Sequence, residues 1–343
     1  MARAHHQRVL RSVFVHPLVR RAVEAAVLSW LVVTLIFVLV RMAPGDPSAL
    51  LVPPTASAAD AARLRADFGL DRPIVVQYAR WARAVLRGDL GESFATRRPV
   101  WAVLKDAAPV SLSLGSLSLL LTFAIGVPIG LVQAARLGKP LDRALTVVAA
   151  TLYAAPSFWI ALALVAVFTY GAATLGLPVW MRLPAFGLLT PGLERTGFAA
   201  LADLARHAVL PVITLAAVGA AGIARYARSG AADILPREFV RSAWAKGAPA
   251  SRVYGRHVLR DLLPQVVILF ALSLPGIVAG SVFVETVFAW PGLGRAMYLA
   301  IQARDYPVVM GASLFYAVAV IAANLAADVI TPLVDPRRRA NAK

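Results

Sequence analysis

Phosphate chemistry needs Gly-x-x-x-x-Gly-Lys followed by Ser or Thr, so that backbone amides cradle the phosphates and the lysine reaches them. The Gly-Lys pair of this chain, Gly138-Lys139, is followed by Pro140 and lacks the upstream glycine. Metal chemistry needs imidazoles paired at helical spacing or a His-Glu-x-x-His run. His5, His6, His16, His207 and His257 form neither. The Gly-x-Ser-x-Gly elbow of a serine nucleophile is missing, and a chain without cysteine has no thiolate to offer. Glu24, Glu285 and Asp328 lie at apolar stretches, where a deep carboxylate suggests ion coupling. Each sits near the end of its stretch and reads as interfacial. Asn324 and Asp328, four apart, share a helix face and read as a helix–helix hydrogen bond. Thr122, Ser157, Thr214 and Ser273 are small hydroxyls inside apolar stretches. They are the candidate substrate-pathway contacts, although helix-backbone or interhelical hydrogen bonding is the simpler account of them. The chain is therefore expected to be no enzyme and to hold no cofactor or metal of its own.

Composition explains why chemistry is so sparse. Of the 343 residues 59% are hydrophobic and only 15% charged, against about 25% charged in soluble domains. A water-soluble globule of this size lacks the interior to hide so much apolar side chain. The chain reads as an all-α integral membrane protein. A crossing helix needs about 20 mostly apolar residues, and six stretches qualify or nearly do: 22–40, 112–132, 147–169, 208–224, 266–288 and 308–330. The fourth is short, with Pro211 near its start, a tolerated helix position. Residues 172–189, broken by Pro178, Arg182 and Pro184, read as a loop or interfacial segment. The first stretch has a basic flank, Arg20-Arg21. No small-residue cleavage site follows it, so it reads as an uncleaved anchor.

The net charge of +17 would suggest nucleic acid in a soluble protein. Here the basic residues alternate with apolar runs and have no interleaved aromatic stripe, so they fit orientation in the bilayer and anionic headgroups instead. Of the 35 Lys and Arg residues, 20 fall in the N-terminal segment, the 133–146 loop, the 225–265 loop and the tail. The positive-inside rule then puts both termini in the cytoplasm. The expected organisation is a cytoplasmic segment 1–21, then a first span with a large extracytoplasmic region over 22–110. A five-helix core over 111–335 follows, including the 225–265 loop, and then a cytoplasmic tail 336–343. Gly126 and Gly130, and Gly276 and Gly280, are small residues four apart that let helices approach closely.

The 225–265 loop is the informative segment. Pro236 suits a first helical position, Gly247 a left-handed residue past the end, and Pro249 stops continuation. These bracket a short helix over 237–246 with Phe239, Val240, Ala243 and Trp244 on one face. A second helical stretch starts near Ser251, with Arg252, Arg256 and Arg260 beside a stripe of Tyr254, Val258 and Leu262. Two such amphipathic helices fit a membrane surface and a cytoplasmic protein partner equally well.

Ala243-x-x-x-Gly247 with the downstream Leu263-Pro264 resembles the coupling-loop motif of importer-type ABC permeases, in the branch that serves dipeptide, oligopeptide, nickel and glutathione systems. The resemblance covers nearly the whole chain. Pro44-Gly45-Asp46-Pro47, Phe68-Gly69-Leu70-Asp71-Arg72-Pro73 with Gln77-Tyr78, and Arg87-Gly88-Asp89-Leu90-Gly91 are similar to the family's outer N-terminal region. Val284-Glu285-Thr286-Val287-Phe288, Pro291-Gly292-Leu293-Gly294 and Arg304-Asp305-Tyr306-Pro307 match its segment after the fifth span, and Asp335-Pro336-Arg337 its close. There are departures. Arg241-Ser242-Ala243 stands where the general motif has Glu-Ala-Ala, the interval from Gly247 to Pro264 is about one helical turn longer than in sugar importers, and the stretch before Arg20 has no counterpart.

The resemblance implies the six-helix type I ABC permease architecture in a bacterial or archaeal cytoplasmic (inner) membrane. It implies one half of a translocation pathway, paired with a homologous second permease. Two ATPase subunits, or one fused, would bind ATP and Mg, and an extracytoplasmic binding protein would deliver substrate. Di- or oligopeptides are the expected cargo, with nickel chelates, glutathione or another small solute as alternatives. In this reading Phe239 and Trp244 anchor in an ATPase groove and Glu238, Arg241 and Lys246 fix register, with Ala243 and Gly247 among the same ATPase-coupling residues. The rivals are an ion-coupled secondary transporter, which would call for paired acids at mid-membrane, and a scaffolding membrane protein.

Overall fold

The computed structural model describes residues 23–24, 26–39, 42, 57, 59, 63, 66, 71–192, 196–279 and 282–334. The Pro44 to Pro47 and Phe68 to Leu70 motifs, Arg195, the N-terminal basic residues and the closing Asp335-Pro336-Arg337 stretch lie outside them. Among the described residues no strand forms, and one isolated antiparallel bridge joins Glu92 and Pro99. The helices are α1 (Ala26–Leu39), α2 (Ile74–Leu86), α3 (Val100–Ala135), α4 (Pro140–Ala154), α5 (Ser157–Val165), α6 (Gly197–Ile234), α7 (Glu238–Ala245), α8 (Leu259–Ala279), α9 (Val282–Val287), α10 (Leu293–Gln302) and α11 (Tyr306–Val334). The chain is all-α, as its composition requires.

Among the described residues, four helical stretches are long and apolar enough to cross a membrane: Val100–Ala135, Gly197–Ile234, Ala250–Ile277 and Tyr306–Asp328. A fifth counts if the pair Pro140–Ala154 and Ser157–Tyr170 is one span, and Ala26–Leu39 is a shorter apolar helix. The outer faces suit lipid: Val27, Leu28, Leu31, Leu35 and Leu39 on α1 are all exposed.

Several boundaries differ from those that hydropathy implies. The second stretch starts not at 112 but at Val100, because α3 begins as an amphipathic helix. Leu104 is buried there while Lys105 and Asp106 face outward. The fourth is not short: α6 runs 38 residues, and Pro211 lies well inside it rather than near its start. The third is not one rod. It bends by 103° between α4 and α5, where Pro156 holds Ala155 in the extended conformation (ψ 134°). The fifth ends its long helix at Ala279, and the separate short helix Val282–Val287 follows. Residues 172–189 form loop with a single 3₁₀ turn at Val179–Met181, as the prolines dictate.

The chain divides into two compact units, residues 1–109 with 292–325 and residues 110–291 with 326–343. In the first, α1 meets α2 through aromatic rings: Trp30 stacks on Trp81 at 5.9 Å and Phe37 meets Tyr78 edge-on at 5.3 Å. The Thr34 hydroxyl shares a 2.8 Å hydrogen bond with the Tyr78 hydroxyl. Its core gathers Val100 and Leu104 with Leu293, Ala300, Val308 and Ala312. In the second unit, one cluster joins Leu114, Ala161, Val165, Leu210, Val284 and Phe288. Another joins Ala134, Ala227, Ala231, Ile234, Val240, Ala243, Val253, Val258 and Leu262. Gly126 and Gly130 are packing positions there: a Cβ on Gly130 would stand 2.5 Å from the Ala224 carbonyl. Gly276 is the opposite case, with nothing within 4 Å of where its Cβ would be. Gly280 lies outside the described residues.

Candidate functional site: the short helix α7 and a small cavity

The short helix α7 forms at Glu238–Ala245, within the expected 237–246, with Arg237 rather than Pro236 at its boundary. Its end is fixed by backbone geometry. Gly247 takes φ +74°, its N–H donates to the Trp244 carbonyl at 2.9 Å, and the Ala248 N–H donates to the Ala243 carbonyl at 3.2 Å. This reciprocal pair satisfies carbonyls that a helix end otherwise leaves open, and it requires the left-handed conformation at Gly247. Pro249 then begins the next helix in extended conformation (ψ 151°).

The apolar residues of α7 divide their work. Val240 and Ala243 are buried in the core cluster with Val253, Val258 and Leu262. Phe239 and Trp244 remain 41% and 43% exposed. Glu238, Arg241, Lys246 and Gly247 are exposed as well. The helix is thus fastened by one edge and presents aromatic and charged side chains on the other. Trp244 is steadied by Tyr254, edge-on at 6.3 Å, and Arg237 bonds Asp261 at 2.7 Å.

The second amphipathic stretch is not a separate short helix. Residues Ala250–Arg252 pass through a wider π turn, Val253–Val258, directly into α8. The stripe expected there is present: Val258 and Leu262 are buried, Tyr254 is half-buried, and Arg252, Arg256 and Arg260 face outward. Helix continuity was hidden because Gly255 and the arginines interrupt the apolar run that marks the span.

Behind α7, Arg228 on α6 grips Asp142 on α4 with two hydrogen bonds, Nε to Oδ1 at 2.6 Å and Nη2 to Oδ2 at 2.8 Å. The Gly138 N–H adds a third to Oδ2 at 2.9 Å. Nearby, the Arg225 guanidinium lies 5.1 Å over the Tyr153 ring. Neither contact has a signal in the sequence, since the partners are up to 86 positions apart.

The candidate pathway residues separate. Thr122 and Ser273 line a cavity of about 260 Å³ within the second unit, together with Ser111, Ser118 and Glu285. Thr214 is fully buried and bonds the Leu210 carbonyl at 2.8 Å. Ser157 is the first residue of α5, half-buried. Neither belongs to that lining. Glu285 is fully buried, and the Ser111 hydroxyl donates to it at 2.7 Å.

In the first unit, Asp305 draws two distant motifs together. Its carboxylate accepts from the Ser93 hydroxyl, from the Phe94 N–H at 3.0 Å and from the Ala95 N–H at 3.2 Å. Asp305 and the stretch that follows the Arg87-Gly88-Asp89-Leu90-Gly91 motif thus form one substructure.

The chain is similar to known transport proteins along almost its whole length. Residues 126–340 match the binding-protein-dependent transport system inner membrane component family, and residues 14–115 match the N-terminal model of such membrane components. The oligopeptide transport system permease protein AppB of Bacillus subtilis is 35% identical over 321 residues, 93% of this chain and 98% of that protein. The dipeptide transport system permease protein DppB of Escherichia coli K12 is 34% identical over 318 residues, 89% and 93%. The di/tripeptide transport system permease protein DppB of Pseudomonas aeruginosa is 35% identical over 325 residues, 90% and 94%. These matches along the chain settle its membership: the chain belongs to the family of inner membrane components of binding-protein-dependent transport systems, the permease subunits of ABC importers.

Proposed function

We propose that this chain is one half of the membrane pathway of an ATP-driven importer of di- or oligopeptides. The observation that carries the reading is α7. Its inner edge, Val240 and Ala243, is built into the core, while its outer edge leaves Phe239, Arg241 and Trp244 exposed. Exposed aromatics beside charges on a rigidly held helix suit a partner's groove, where a few anchors dominate binding. The partner in this proposal is a pair of ABC ATPases, separate or fused, which bind ATP and Mg. Closure of the ATPases favours one of two rigid arrangements of the membrane helices, which is alternating access. A homologous permease supplies the other half of the pathway, and an extracytoplasmic binding protein loads it.

The peptide cargo rests on the names of the relatives. In the same proposal the chain crosses the inner membrane six times with both termini in the cytoplasm, α1 providing one crossing and the bent pair α4–α5 another. In this proposal Glu238, Phe239, Arg241, Trp244, Lys246 and Gly247 engage the ATPases, whereas Ala243, expected among them, is buried in the chain's own core.

The test is reconstitution. The complex that co-purifies with this chain is placed in proteoliposomes with its binding protein and ATP, and uptake of radiolabelled dialanine is followed. ATP-dependent uptake, competed by other short peptides and not by glutathione or nickel chelates, is the expected result. Complexes lacking an ATPase, or uptake that follows an ion gradient without ATP, would overturn the proposal.

A further inference from the structure

The uncharged run of α6, residues 208–224, ends at Arg225, and Arg228 follows one turn later. Both arginines line a hollow of about 270 Å³ between α4 and α6, which Thr146 and Tyr153 of α4 and Gln133 of α3 also line. The end of an apolar run is where a crossing helix meets lipid headgroups. The two guanidinium groups are engaged differently. Arg228 gives Nε and Nη2 to Asp142, so that pair is close to neutral. Arg225 is exposed and has no carboxylate partner among the described residues. Its contact is the Tyr153 ring, whose centre lies 5.1 Å away. A guanidinium laid over a ring keeps its five N–H donors, which point outward in its own plane. Tyr153, itself 56% exposed, brings a hydroxyl to the same hollow. Gln133 and Thr146 are bonded to each other at 3.1 Å, and the Gln133 carbonyl oxygen is buried. The mouth of the hollow therefore offers donors and one unmatched positive charge.

A second hollow, of about 210 Å³, adjoins the first, and the two share Ala149 of α4 and Ala221 of α6. This one is apolar, walled by Ile125 and Ile129 of α3, Val148 and Leu152 of α4 and Ile213 of α6. Ile125, Val148 and Ile213 are 39%, 54% and 40% exposed, so it opens on an apolar surface. On α3 its lining spans 121–129 against residue 133 for the first hollow, and on α6 it spans 213–224 against 221–228. On both helices the apolar hollow thus lies further from α7, toward the middle of the apolar runs. A basic mouth at the end of those runs, with an apolar groove leading away from it, has the polarity of a phospholipid.

We infer that the two hollows form a site for one anionic phospholipid, its phosphate held by Arg225 and the Tyr153 hydroxyl and one acyl chain lying in the apolar hollow. Charge complementarity selects this occupant. A guanidinium fork matches a phosphate through two parallel N–H bonds, and basic pockets between membrane helices suit anionic headgroups. A soluble anion would use the mouth and leave the apolar hollow without a role. Which leaflet supplies the lipid follows from the orientation proposed above, whereas the charge preference of the site does not.

The test uses the assembled importer in vesicles of dioleoylphosphatidylcholine. They carry a trace of phosphatidylglycerol with a diazirine on one acyl chain, or of phosphatidylcholine with the same chain. After irradiation, the lipid-bearing peptides of this chain are mapped by mass spectrometry. Cross-links within 145–153 and 213–224 are expected at least about fivefold more often from phosphatidylglycerol. Arg225→Gln should bring that ratio close to unity while the phosphatidylcholine cross-links persist, which checks that the helices still pack. Arg225→Lys should keep a preference of about twofold or more. An excess of inorganic phosphate should leave the phosphatidylglycerol cross-links in place. Equal cross-linking by the two lipids in the unaltered chain would overturn the anionic site, whatever the variants do. So would a preference that survives Arg225→Gln. Displacement by phosphate would make the occupant a soluble anion, and an absence of cross-links from either lipid would mean that another subunit covers this face; each outcome overturns the lipid site.

Discussion

Arg228 and Asp142 form a two-point contact, guanidinium fork against carboxylate, at 2.6 and 2.8 Å. Asp142 is almost fully enclosed, and Arg228 is about one-third exposed. The pair ties the first turn of α4 to the part of α6 that leads toward α7. A planar fork makes this geometry and an ammonium does not, so Arg228→Lys is not conservative here. Asp142→Asn is expected to destabilise the chain toward the lower end of about 3–5 kcal/mol, the cost of removing one partner of a buried pair. A double-mutant cycle of Asp142→Asn and Arg228→Met, read by chemical denaturation in detergent, should return a coupling of about 1–3 kcal/mol. Additive losses would remove the pair from the account of stability.

At Gly247 the constraint is conformational, since its φ is +74° and a Cβ there would meet nothing within 4 Å. The left-handed region costs an ordinary residue about 1–2 kcal/mol and a β-branched one more, and Asn tolerates it best. Gly247→Val is expected to insert and assemble but to lower dialanine uptake per ATP hydrolysed about tenfold or more, whereas Gly247→Asn should stay within about twofold of the parent. Uptake by the Val variant at the parent rate would refute the coupling role given to this turn.

Phe239 and Val240 are neighbours with opposite expected phenotypes. Phe239 is exposed, so Phe239→Ala should shift the chain's own stability by less than about 0.5 kcal/mol, while weakening ATPase binding by about 2 kcal/mol, roughly thirtyfold. Val240 is fully buried. Val240→Ala should cost about 2 kcal/mol in stability through lost burial and a cavity. Trp244→Ala gives a mixed result, because the edge-on contact with Tyr254 goes with it. Co-purification measured beside thermal unfolding separates the two effects, and equal behaviour of Phe239→Ala and Val240→Ala in both would refute the division of the helix into inner and outer edges.

Asp305→Ala removes an acceptor from three donors in the Ser93 to Ala95 stretch. Hydrogen bonds to a charged group contribute about 1.5–3 kcal/mol each, and buried donors left unmatched add to the loss. The expected total is about 3 kcal/mol or more, seen as faster tryptic cleavage after the exposed Arg97. Unchanged cleavage there would mean that the loop is held by other contacts.

These residues also show what could be read from the sequence. The turn at Gly247 was legible, because a glycine followed two places later by a proline records a backbone requirement in residue type. The outward face of α7 was legible only as a set: hydropathy grouped Phe239, Val240, Ala243 and Trp244, but could not say which of them the chain keeps for its own core. The break at Pro156 carried a signal, a proline that expels its predecessor from helical conformation, yet it was submerged in apolar residues on both sides. Asp142 with Arg228, and Asp305 with Ser93, were out of reach. Each pair is made by folding between positions scores of residues apart, and neither member is unusual where it stands.

Only three residues, Leu235, Pro236 and Arg237, separate α6 from α7, and only four, Lys246 to Pro249, separate α7 from the helical stretch that runs into α8. Two of those seven are prolines, with φ already fixed. A mechanism with so little slack has almost no backlash. Under the function proposed above, a push delivered to the short helix finds little slack in these connectors and passes on to the two long helices they join.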